Sequence, residues 1–162
     1  MALLEDPRAT VELIADGVHV HDALLRHVVE SAGPDRVALI TDAMAAAGLP
    51  DGSFRLGALD VEVRDAIARV RGQSTIAGST ATMDRVFRAA VPNSASDAQL
   101  LAAAAMTATT PARAVGLSRV GSLAPGLAAD LVVLGTDLDV VAVMADGELV
   151  VSLASAPGVA TP

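Results

Sequence analysis

The chain contains no cysteine, no tryptophan and no tyrosine, and its only phenylalanines are Phe54 and Phe87. Without cysteine there is no disulfide, no thiolate nucleophile and no sulfur-ligated zinc. With so few rings there is little to stack on a sugar or a base, so any ligand must be held by polar groups and backbone. Cations are scarce as well: 11 Lys and Arg stand against 19 Asp and Glu, for a net charge of -8 and a sequence pI near 4.6. That balance offers no basic patch to a phosphate backbone, so nucleic acid is not an expected partner. The opening "MALLEDPR" reaches acid and proline after four apolar residues, unlike the basic start and apolar middle of a signal peptide. No apolar run reaches membrane-spanning length. No membrane partner is expected, and a cytoplasmic location suits both absences.

What is present is a 162-residue chain with 52% hydrophobic residues, enough for an ordinary domain with a core. Thr10 to Asp16, "TVELIAD", reads as a short strand. "HDALLRHVVESAG" reads as a helix with apolar residues at Ala23, Leu24, Val28 and Val29, stopping at Gly33-Pro34. "RVALIT" follows as a strand almost continuous in apolar residues, as strands buried on both faces of a parallel sheet are. Strand, helix and strand in that order predict an α/β fold. A loop rich in Gly, Pro and Asp comes next. In "FRLGALDVEVRDAIARV", Val61 and Val63 alternate with Glu62 and Arg64, which predicts a β-hairpin insertion near 54–70. Two helices are expected after it: "STATMDRVFRAAV", capped by Ser79 or Thr80, and "SDAQLLAAAAMTATTPARAVG", capped by Ser96. The remainder is turns and short Val/Leu strands, with "ADGELV" a hairpin, and "ASAPGVATP" is expected to be a disordered tail.

Three stretches carry candidate chemistry. In "RVALITDAMAAAG" the apolar run ends at Thr41-Asp42. Two readings stand for Asp42: it caps a short helix "AMAAAG", or it is a functional carboxylate at the C-terminal end of a strand, where the active sites of parallel barrels collect. "ADGVHVH" ends the preceding strand, which would bring His19 and Asp42 to one mouth. His19 and His21 at i, i+2 on a strand would share a face and form a metal pair. They lack a third partner, because His27 falls on the helix and only Asp16 or Asp42 remains; hydrogen-bonding or surface roles are expected for His21 and His27. In "TIAGSTATMDRV", Gly78 permits close backbone approach and the following helix start presents free N–H groups; an ordinary capped helix is the competing reading.

In order, the segments "ADGVHVH", "LITDAMAAAGLPDG", "TIAGSTATMDR", "TTPARAVGL", "GSLAPGLAADLVVL" and "VMADGELV" resemble the C-terminal part of the N-acetylglucosamine-6-phosphate deacetylase family, within the amidohydrolase superfamily. The likeness runs from about Leu3 to Val151. The "PARAVGL" and "LAPG" portions indicate the superfamily only, and the DGVH, TDAMAAAG and AGST segments narrow it. The resemblance implies the C-terminal portion of a metal-dependent (β/α)8 barrel over 1–122, strands of a small β-sandwich domain over 123–151, and a tail over 152–162. It implies removal of acetate from an amino-sugar phosphate with a divalent metal, zinc or similar, and a homodimer that can place His19 in the neighbouring subunit's site. By the same match Asp42 is the catalytic base and then acid, and Asp16, Gly17, Val18, His19, Ile76, Ala77 and Gly78 contact substrate.

The resemblance also implies that the metal ligands, a Glu and two His, would lie upstream of Met1, so that none is expected in this chain. About three strands cannot close an eight-stranded barrel, which reads as a fragment. Two further readings follow: a non-catalytic fragment or interaction module without the metal site, and another amidohydrolase, such as a dihydroorotase or aminoacylase relative, acting on a different amide.

Overall fold

The computed structural model of the chain describes residues 2–92 and 94–152. Of the expected tail, only Ser152 is among them, as the last residue of a strand; residues 153–162 lie outside. β1 (Val11–Ile14) and β2 (Val37–Ile40) pair in parallel, Val11 opposite Val37 and Ile14 opposite Ile40, and α2 (Asp22–Ala32) connects them. This is the α/β unit that the sequence predicts. Val37, Ala38 and Leu39 are all buried, which is why the run shows no polar alternation.

α2 starts at His21, whose Nδ1 accepts the Ala23 N–H at 3.2 Å, and stops at Gly33. Its inward face is Leu25, Val28, Val29 and Ala32, packed on Leu13, Val37 and Leu39. Ala23 and Leu24, expected on that face, are exposed: the i, i+3, i+4, i+7 row begins at Leu25. Arg36 closes this end of the unit. Its guanidinium donates to the carbonyls of Ala32, Asp6 and Leu4 at 2.7 to 3.0 Å, satisfying the last carbonyls of α2 and of the short α1 (Ala2–Glu5).

In place of the two-stranded hairpin expected near 54–70, residues 52–70 form a meander of three antiparallel strands, β3 (Gly52–Leu56), β4 (Leu59–Arg64) and β5 (Ile67–Val70). The β4–β5 turn has positive φ at Asp65 and Ala66, the two-residue geometry that matches strand twist. The Asp51 carboxylate accepts both of their N–H groups, at 2.6 and 3.0 Å. Val61, Val63, Ala68 and Phe54 on one face form a second core with Met44, Ala46 and Ala77.

α3 (Met83–Ala90) has Thr82 as its N-cap residue, which corrects the expectation of Ser79 or Thr80. Both of those side chains are buried and committed elsewhere: Ser79 Oγ accepts the Ala81 N–H at 3.0 Å, and Thr80 Oγ1 donates to the Ala66 carbonyl. α4 (Asp97–Ala104) does begin after Ser96, where Gln99 reaches back to accept the Ser96 N–H at 2.9 Å. A π-helical turn at Ala105–Thr109 leads into α5 (Thr110–Ala114). The buried Thr110 hydroxyl donates to the Pro34 carbonyl at 2.9 Å, and Arg113 donates to the Asp35 carbonyl. The helical C-terminal half is thereby fastened to the turn that precedes β2. β6 (Leu131–Leu134), β7 (Val140–Ala145) and β8 (Glu148–Ser152) form a separate antiparallel sheet, with "ADGELV" the β7–β8 hairpin.

The crossing from α5 to this sheet depends on Gly121. Its φ is +86°, and a Cβ there would lie 2.7 Å from the Ala112 Cβ and 3.0 Å from the Ala108 carbonyl oxygen. Gly121→Ala is expected to cost on the order of 2–4 kcal/mol, the sum of a left-handed alanine and an overpacked contact. Urea unfolding measures it; a change within experimental error would show that the crossing tolerates a side chain.

Candidate active site

β1 and β2 run in register, so the residues two positions past their last pair, Asp16 and Asp42, occupy equivalent places at the C-terminal edge. A third segment joins them. Ala43 and Ser79 form a parallel bridge, with the Ser79 N–H donating to the Asp42 carbonyl at 2.8 Å and the Met44 N–H donating to the Ser79 carbonyl at 3.0 Å. On its other side the segment pairs with β5, through an Arg69–Ile76 bridge and the Ala77 N–H donating to Ala68. Gly78 makes the approach possible. At φ +82°, a Cβ there would stand 3.1 Å from the Asp42 carbonyl oxygen and 3.3 Å from the Met44 Cβ, closer than a side chain sits comfortably.

Asp42 is exposed and has φ +52°. Left-handed backbone is uncommon for a residue with a side chain, Asp and Asn being the least disfavoured. Thr41 supports the conformation, its Oγ1 accepting the Ala43 N–H at 3.2 Å. No helix follows: Ala43 is a bridge residue and residues 45–48 form a turn. The helix-cap reading of Asp42 is therefore overturned, because an N-cap needs extended backbone leading into a helix.

Asp16 differs from Asp42. Its side chain is 5% exposed. Oδ1 accepts the backbone N–H groups of Val18 and His19, both at 2.9 Å, and Oδ2 lies 2.8 Å from Nδ1 of His19. Burial pushes the Asp16 carboxyl up, but the N–H groups of His19 and Val18, then the His19 ring and the Ser79 hydroxyl, outweigh it and hold it below the usual carboxylate range. The loop is thus folded around its own carboxylate, with Gly17 at φ +77° and the His19 side chain 18% exposed at the edge.

The structure brings together Asp16–His19, Asp42 and Ile76–Gly78, all on three adjacent backbone segments. It separates the other histidines. Residues 17–20 are a bend rather than a strand, so His19 and His21 do not form the i, i+2 pair; His21 caps α2 and His27 is on its exposed face. Among the described residues no three His, Cys, Asp or Glu side chains gather to hold a metal ion. Those described residues by themselves do not fit a resident metal. No helix among them is long and apolar enough to cross a membrane.

The amidohydrolase family model matches residues 1–150. The chain belongs to the amidohydrolase family. Within it, the chain is similar to the N-acetyl-D-glucosamine-6-phosphate deacetylase of Mycobacterium smegmatis, solved as an aspartate-to-alanine variant in complex with N-acetyl-D-glucosamine-6-phosphate: identity is 54%, TM-score 0.87, with 93% of this chain and 40% of that chain covered. The N-acetylglucosamine-6-phosphate deacetylase structure of Thermotoga maritima matches at 33% identity and TM-score 0.80, over 93% of this chain and 41% of that one. A provisionally named N-acetylgalactosamine-6-phosphate deacetylase of Escherichia coli is 40% identical over 149 residues, 90% of this chain and 86% of that protein. The chain spans about two fifths of the length of the solved deacetylases that it matches.

Sequence reasoning missed Ser79 as the residue that ties these segments together, because the small residues of "AGSTAT" look the same in a helix cap. The glycine directly before it was the available signal.

Asp16 carries a pH signature. A carboxyl whose pKa is lower folded than unfolded contributes stability above its unfolded value, near pH 4, and loses it as pH falls through the folded value. The gap in melting temperature between wild type and Asp16→Asn is expected to shrink as pH falls below about pH 4. A gap independent of pH would contradict the buried, hydrogen-bonded carboxylate.

Proposed function

We propose that this chain supplies the base-bearing part of a deacetylase that hydrolyses the acetamide of N-acetylglucosamine 6-phosphate to glucosamine 6-phosphate and acetate. The observation that carries the reading is Asp42, exposed and held in a left-handed turn at the C-terminal edge of parallel strands, where barrel active sites lie. In this reading its carboxylate takes the proton of the attacking water and returns it to the departing amine, one group serving as base and then acid. The exposed Asp42 turn, seated beside residues 76–78 by the close approach at Gly78, supports a substrate lying over the edge formed by that turn, the Asp16–His19 loop and Ile76–Gly78. With almost no aromatic surface in the chain, that substrate is held by backbone and polar side chains.

The glucosamine epimer is favoured because the two Mycobacterium smegmatis structures, at 54% and 52% identity, carry that name. The galactosamine epimer stands as the second reading on the Escherichia coli relative. That a relative was crystallised with the sugar phosphate as an aspartate-to-alanine variant supports an aspartate in turnover.

Residues 1–122 then correspond to the C-terminal portion of a (β/α)8 barrel and 123–151 to strands of a small β domain. The parallel joining of β1, β2 and the Ser79 segment supports the first assignment, and the separate β6–β8 sheet the second. Amidohydrolases are in general metal-dependent. Since the described residues do not gather a ligand set, a divalent metal would be held by residues that they do not include. A homodimer and a cytoplasmic location belong to the same reading, supported by exposed apolar residues such as Val132 and Leu149 and by the absence of cysteine.

The test is acetate release from both N-acetylhexosamine 6-phosphate epimers, with divalent metal. It uses the purified chain alone and mixed with the N-terminal portion of a full-length relative, with solution mass recorded. Turnover of the glucosamine epimer in either sample is the expected result; two folded components that give none would favour the non-catalytic reading. Asp42→Asn keeps a residue tolerant of left-handed backbone. It is therefore expected to leave the melting temperature nearly unchanged while lowering kcat by about 10²- to 10⁴-fold.

A further inference from the structure

Resting on that reading, and refining the place of Asp16 in it, we propose that Asp16 is a positioning residue. It locks the ring of His19 in its Nδ1–H tautomer and holds the loop that carries it in one shape. On this view Asp16 acts through His19 rather than touching substrate.

Both oxygens of the Asp16 carboxylate are spent inside its own loop. Oδ1 takes two backbone N–H groups at 2.9 Å and Oδ2 faces His19 Nδ1 at 2.8 Å. With 5% of the side chain exposed, little is left to meet a ligand. An ionised carboxylate only accepts, so Nδ1 must carry the proton. In the neutral ring Nε2 is then the acceptor, and in the charged ring it is a second donor. The part of His19 that can work on a ligand is therefore Nε2.

Ser79 fastens the neighbouring Asp42 turn. It is 2% exposed. Its backbone N–H donates to the Asp42 carbonyl, its carbonyl accepts the Met44 N–H, and its Oγ accepts the Ala81 N–H. One buried serine thus fixes the backbone that carries Asp42 on the segment next to it.

Asp16→Asn separates orientation from mere folding. An asparagine can keep its oxygen on the two backbone N–H groups, which forces its NH₂ onto the position that faces Nδ1. A donor there requires Nδ1 to be the acceptor, so the neutral ring must become Nε2–H. The chain has three histidines, so ¹⁵N-detected imidazole spectra are readily assigned. In the wild-type chain with neutral rings, His19 is expected to show a protonated Nδ1 and a bare Nε2. In Asp16→Asn the two nitrogen signals should exchange types, with His21 and His27 unchanged. Ser79→Ala, which leaves the bonds between Asp16 and His19 in place, should keep the wild-type tautomer.

A wild-type His19 that is mainly Nε2–H, or a tautomer indifferent to Asp16→Asn, overturns the proposal. The wild-type spectrum decides the first point even if a variant fails to fold. None of these readouts needs substrate or turnover, so failure of the deacetylase reading would leave the tautomer result standing, and the reverse.

Discussion

The two backbone hydrogen bonds that Ser79 makes with the Asp42–Met44 turn hold the site together. They extend a two-stranded parallel sheet by one more segment at the edge where the candidate site residues lie. The bonds require close approach of two backbones, and Gly78 permits it: any side chain there would push against the Asp42 carbonyl. Once that contact exists, Asp16, Asp42 and Gly78 are fixed on adjacent segments, and the loops that follow them open on the same side. A serine suits the next position because its hydroxyl is small enough to be buried and accepts the Ala81 N–H.

Two apolar cores brace this edge. One lies beneath β1 and β2, where Leu13, Val37 and Leu39 meet Val28 of α2, Val86 of α3 and Met106 of the π-helical turn. The other joins the β3–β5 meander to Met44, Ala46 and Ala77. Met44 and Ala77 stand within two residues of Asp42 and Ser79, so packing of the insertion bears directly on the turn. The meander is therefore more than a surface excursion. It supplies β5 as the second hydrogen-bonding neighbour of residues 76–77, and it buries the apolar side of the segment that carries Gly78.

Much of this was legible in the sequence, and the failures have physical causes. β2 was readable because a doubly buried strand leaves an unbroken apolar run. α2 was readable from its length and its Gly33-Pro34 stop, although its inward row was displaced because Ala23 and Leu24 are apolar and yet exposed. The β7–β8 hairpin announced itself in Asp146-Gly147, a pair suited to positive φ. Asp42 and Ser79 were harder. Both are good N-cap residues, and the choice between capping and other work depends on which backbone lies across from them. That is a long-range fact: Ser79 lies 37 positions from Asp42 in the chain. The π-helical turn is hidden for a similar reason, since the alanine-rich run around it would suit an α-helix equally well. What distinguishes it is tertiary: Thr110, just beyond, turns inward to reach the Pro34 carbonyl.

The identity of residue 42 is itself an argument. A turn with φ near +52° is where glycine costs least and where an ordinary side chain costs roughly 1–2 kcal/mol, somewhat less for Asp or Asn. If the turn alone mattered, glycine would serve, as it does at Gly48 a few residues later in the same loop. Asparagine would tolerate the conformation too, with a neutral side chain. A carboxylate adds charge at an exposed edge that already has Asp16 opposite. Nothing in the packing asks for that charge, since the turn is held through its backbone by Ser79 and Met44 and through Thr41. The two aspartates divide the work by environment. One is buried, saturated with donors and kept ionised to hold a histidine, while the other is exposed and tied only through its backbone. Only the second has the accessibility that proton transfer to a bound molecule needs.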